Sequence, residues 1–137
     1  MNTKTLISGL LGGVCYFLLG WLIYGILLKD AMNSSMGSAT GVMRGHDDML
    51  LWAIAIGNIA TGLGMAYILG NWAGVTSWAG GAKAAATVGA LFAIGYDLIM
   101  YATSNMMELN GIFMDVPISI FMSASAGAVI GWWLGRS

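Results

Sequence analysis

Charge is what this chain has least of. Lys, Arg, Asp and Glu make up 8% of its 137 residues, where a soluble domain carries about 25%. Five basic and six acidic side chains are too few to cover a water-facing surface. The net charge of −1 comes with no basic tract, so no nucleic-acid partner is expected. There is one cysteine, Cys15, which excludes an intrachain disulfide. Beside a single histidine it makes no zinc site, and it reads as a small buried hydrophobe. The lone proline, Pro117, leaves most of the chain free of helix breakers, and no strand-like alternation competes.

What is present in excess is uninterrupted apolar sequence, with 58% hydrophobic residues. A membrane-spanning helix needs about 20 of them in succession. No charge falls between Lys4 and Lys29, and none between Asp48 and Lys83. The first run is much longer than the roughly 7–15 apolar residues of a signal peptide, so it reads as a retained span. The pattern predicts an all-α membrane protein, a single domain of four transmembrane helices in an antiparallel bundle. The expected spans are 5–28, 49–69, 80–107 and 116–135, with an external loop over 29–48. The stretch from Gly70 to Gly74 breaks the second span, and Trp72 and Trp78 sit where interfacial aromatic belts belong. Asn110-Gly111 reads as a turn, with Asp115 and Pro117 opening the last helix as cap and first-turn proline.

Basic residues set orientation. Lys4, Lys83 and Arg136 fall on the side of the termini, and Lys29 and Arg44 on the other. That balance predicts cytoplasmic termini. Gly20-Trp21-Leu22-Ile23-Tyr24 also echoes Gly95-Tyr96-Asp97-Leu98-Ile99, as two similar parallel hairpins would; chance likeness between apolar helices explains it equally.

Helices in lipid approach closely only where residues are small. The third span carries Gly81, Ala85, Gly89 and Ala93 at i+4 spacing, and the fourth carries Ser119, Ser123, Gly127, Gly131 and Gly135. These stripes predict a tight hairpin of the last two spans. Looser pairs, Ala53-Gly57 and Ala60-Gly64, mark the second span, and Gly9-Gly13 the first.

Asp97 is the one acid expected within a span. An isolated carboxylate in hydrocarbon costs several kcal/mol unless it is paired, hydrated or protonated. Asn58, Thr61 and Ser123 fall near its depth and are expected to join it in one polar layer. A satisfied interhelical hydrogen bond and a proton- or ion-coupling site both fit that arrangement. The Arg44-Gly45-His46-Asp47-Asp48 segment reads as a solvated helix start in preference to a metal site. Met32, Met36, Met43, Met49, Met106, Met107 and Met114 gather at the same face, as gap-filling residues before soft-metal ligands. No nucleophile–base pair is visible, and neither enzymatic activity nor a cofactor is expected.

Phe17-Leu18-Leu19-Gly20-Trp21-Leu22-Ile23-Tyr24-Gly25 followed by Lys29, and Gly127-Ala128-Val129-Ile130-Gly131-Trp132 near the end, resemble a family of small four-span bacterial membrane proteins, domain of unknown function 1761. The resemblance implies the fold, a location in a bacterial inner membrane, and no activity. The expected function is helix-mediated association, as a homo-oligomer or with a membrane-protein partner. The alternative is a small oligomeric transporter or channel with Asp97 as the coupling acid.

Overall fold

A computed structural model describes residues 1–34 and 37–136, with only the backbone described for Met32 and His46. Among the described residues every regular element is helical. α1 covers Thr3–Leu22 and runs on as a π-helical turn, Ile23–Leu27; a short α2, Lys29–Ser34, follows. α3 covers Leu51–Tyr67 and ends in a second π turn, Ile68–Trp72. α4 covers Trp78–Thr103 and α5 covers Leu109–Leu134. Four helices, α1 and α3 with their π turns, α4 and α5, are long and apolar enough to span a membrane.

Local chemistry explains the boundaries. The Asn2 side chain accepts from the Thr5 amide at 2.8 Å, and Ser77 accepts from the Gly80 amide at 3.1 Å, so each caps its helix. The third span therefore starts at Trp78, ahead of the expected residue 80, and it stops at Thr103 instead of 107. The largest correction concerns the last span. Asn110-Gly111 makes no turn but lies in the first turn of α5, Asp115 caps nothing, and Pro117 sits inside the helix. A proline there leaves the Phe113 carbonyl without its helical donor. The loop expected over 29–48 contains α2, and Ala39 N–H donates to the Asn105 carbonyl at 2.9 Å, tying that loop to the α4–α5 connection.

The long helices stand in an open row, α3–α1–α5–α4, in which α3 and α4 make no extended contact. The α4–α5 interface is the largest. There the two small-residue stripes meet: a Cβ on Gly81 would strike the Gly127 carbonyl, one on Gly127 would strike the Ala85 methyl, and one on Gly89 would strike Ser123. Gly131 and Gly135 lie against the Ser77 and Thr76 carbonyls. Ser119 is half-buried on the same face, and so is Ala93.

The α1–α3 crossing is equally close at Gly13, whose Cβ would sit 2.7 Å from the Ile59 Cα. On α3 the packing residue is Gly62, against Gly9 and Gly13, and not the expected pairs; Gly57 and Gly64 face open space. α1 and α5 meet where Gly12 admits the Ile130 side chain. The core has two parts. Met65, Ala66, Leu69, Ala85 and Ile130 fill the end near the termini, and Tyr16, Ile23, Met122 and Ala126 fill the other. At the terminal end Lys4 Nζ donates to the Arg136 carbonyl, and the Arg136 guanidinium lies 5.1 Å from the Trp132 ring and 4.9 Å from that of Trp133. The echo between the first and third spans has no counterpart in packing, since α1 is flanked on two sides and α4 on one.

Candidate functional site

Because the row is open, a groove runs between α3 and α4, floored by α1 and α5. It encloses about 430 Å³. Met65 and Ile68 wall it on one side and Val88, Phe92 and Tyr96 on the other, while Tyr16, Ser119, Ser123, Asp97 and Asp115 supply its polar floor.

Asp97 is 2% exposed. Its carboxyl and that of Asp115 line the same groove, close enough to interact. Yet its buried Oδ2 receives no hydrogen bond from the described residues, because the neighbouring carboxyl is itself an acceptor unless it carries a proton. Asp115 is better served. Tyr24 Oη donates to its Oδ1 at 2.6 Å and Ser119 Oγ to its Oδ2 at 3.4 Å. One turn further in, Tyr16 Oη donates to Ser123 Oγ at 3.0 Å. No lysine, arginine or histidine lines the groove among the described residues.

Depth follows from helix length. Asp97 lies six residues before Thr103 and Asp115 six after Leu109, or about 9 Å inside the helix ends at about 1.5 Å per residue. A helix of 26 residues is about 39 Å long and overhangs a centred hydrocarbon core of about 30 Å by about 4–5 Å at each end. The acids therefore sit only about 5 Å below the hydrocarbon boundary, shallower than a third span ending at 107 implies.

Of the residues expected in one polar layer, Asp97 and Ser123 share the groove floor and Thr61 lines its α3 wall. Thr61 Oγ1 donates to its own helix, to the Gly57 carbonyl at 2.9 Å. Asn58 stands apart: its Nδ2 donates to the Ile54 carbonyl at 2.8 Å, and it does not line the groove. A side chain satisfied within its own turn has no need of a partner across an open groove. Asp115, Tyr16 and Tyr24 were not anticipated. Their signal was spacing, since Asp115, Ser119 and Ser123 recur every four residues on one helical face, and Tyr16 and Tyr24 stand eight apart.

The other candidate groups are peripheral. Asp47 and Asp48 are exposed on a short 3₁₀ turn, and the His46 side chain lies outside the described residues. Met43 and Met49 are exposed, whereas Met106, Met107 and Met114 are half-buried; Met36 and the side chain of Met32 lie outside the described residues. The chain matches no family model, no curated protein and no solved structure. The site is therefore read from its own chemistry.

Proposed function

We propose that the protein is a small carrier in a bacterial inner membrane, with cytoplasmic termini, and that Asp97 and Asp115 form its proton- or cation-coupling site. One observation carries this reading: two carboxyls line one groove open to the bilayer, close enough to interact and with no basic side chain lining it among the described residues. Two ionised carboxylates cannot coexist in contact in so poor a dielectric, so the pair holds one proton or one cation between them. A purely structural acid would be closed off by donors. Here one oxygen is left without any, which suits a group that exchanges what it binds.

In proteoliposomes under a pH gradient, the wild-type chain should carry protons, read by an entrapped pH-sensitive dye. Asp97→Asn and Asp115→Asn should fold and abolish that flux. Flux that persists unchanged in both variants would overturn the assignment.

A second reading, association between copies, draws on Gly57 and Gly95, whose faces meet no other part of the chain among the described residues and would admit a neighbouring helix closely. It is compatible with the first, since an oligomeric carrier needs both.

A further inference from the structure

The groove's lining says more than that it holds a cation. A hard inorganic ion asks for about six oxygen ligands or more. This floor offers two carboxyls and a few hydroxyls, most already engaged with one another. The rest of the lining is hydrocarbon and aromatic ring, contributed by Met65, Ile68, Val88 and Phe92. A volume of about 430 Å³ falls within the range of about 300–1,000 Å³ typical of small-molecule pockets. The orphaned Asp97 Oδ2 calls for a donor, which a quaternary ammonium lacks. A neutral alcohol supplies a donor but no charge to offset the carboxylates.

We infer that the groove binds an amphipathic amine: a protonated primary or secondary ammonium on Asp97 and Asp115, its apolar body against Met65, Ile68 and Phe92. The inference rests on the carrier reading and names its cargo. Entry is sideways from the bilayer, between α3 and α4, where the helix row is open. The exchange balances, for one ammonium enters and the one proton shared by the carboxyls leaves, so the charge of the site is unchanged. Among the described residues, the titratable groups facing the pair are Tyr16 from α1, with Cys15 beside it, Tyr24 from the π turn after α1, and Tyr96 from α4; α3 contributes the hydroxyl of Thr61.

The test is calorimetric titration of the full chain in nanodiscs of zwitterionic phosphatidylcholine at neutral pH. The probes are phenethylamine, its trimethylammonium analogue and phenethyl alcohol. The amine should bind saturably, one per chain, while the other two only partition into lipid. Asp97→Asn should weaken the amine by roughly tenfold or more, the least expected from losing a charge-assisted hydrogen bond. Should that variant fail to fold, Gly64→Leu serves instead. Its side chain enters open space, fills the groove and should abolish binding with both acids intact, whereas Gly57→Leu should bind as wild type. Buffers of different ionisation heat should report one proton released per amine bound. An amine that merely partitions like the alcohol, or that binds unchanged in Asp97→Asn and Gly64→Leu, overturns the inference. Proton flux in liposomes without amine binding leaves the carrier reading standing alone. Amine binding with neither proton release nor flux keeps the site and removes the coupling.

Discussion

Tyr16 on the groove floor and Tyr24 behind Asp115 differ in what they hold. Tyr16 donates to a neutral hydroxyl, Tyr24 to a carboxylate at 2.6 Å. Interhelical hydrogen bonds in membranes average about 0.6 kcal/mol and reach about 1.7, and charged acceptors fall at the strong end. Tyr24→Phe should therefore destabilise the protein by about 1.5 kcal/mol and Tyr16→Phe by about 0.6, measured by denaturant titration in mixed micelles. Equal losses would mean that the Asp115 carboxyl draws no special support from Tyr24. Asp97 itself was legible in the sequence because a lone acid within an apolar run is conspicuous. Its neighbour was not, since Asp115 stands close behind an Asn-Gly pair that imitates a turn, and a carboxylate in the second turn of a helix resembles one at its cap.

At the level of the helix, number and apolar character follow from hydrophobic run length alone. The termini depend on finer signals: the Ser77 cap starts α4 early, while Pro117 lies inside α5 and marks no end. Small residues were legible by partner where two regular stripes share one hairpin, as in α4 and α5, and elsewhere only as a class. A glycine's spacing shows that it lies on a stripe, and only the fold decides which stripe meets a backbone. Gly127 and Gly62 do, while Gly57 and Gly95 do not. Gly127→Leu should cost at least about 1–3 kcal/mol, the range for overpacked interiors, because the obstacle is the Gly81 backbone and cannot rotate away. Gly57→Leu and Gly95→Leu should leave the thermal midpoint in detergent unchanged or raised, since leucine favours helix over glycine by up to about 1 kcal/mol. A collapse of both variants would mean that these faces are covered in the assembled protein.

Across the whole molecule, the contact between Lys4 and the Arg136 carbonyl puts both chain ends at one face. Topology reporters fused after Arg136 and inserted at the exposed Gly41 should accordingly give opposite signals, and an external signal from Arg136 would reverse the proposed orientation. The open row also has a bearing on how the chain is made. Each half is a hairpin of consecutive spans, α1 with α3 and α4 with α5, so most contacts are local and available as soon as the second arm emerges. Asp97 is the exception. It leaves the ribosome before Asp115, Ser119 and Ser123 exist, in the half of α4 that lies beyond the cluster shared with α3. An aspartate at the centre of a lone inserting helix is penalised by about 2.5–3.5 kcal/mol, and near the boundary the penalty is smaller. The order of synthesis thus sets the first of the groove's acids in place before the second, and the two carboxyls come together only when the fourth span joins the third.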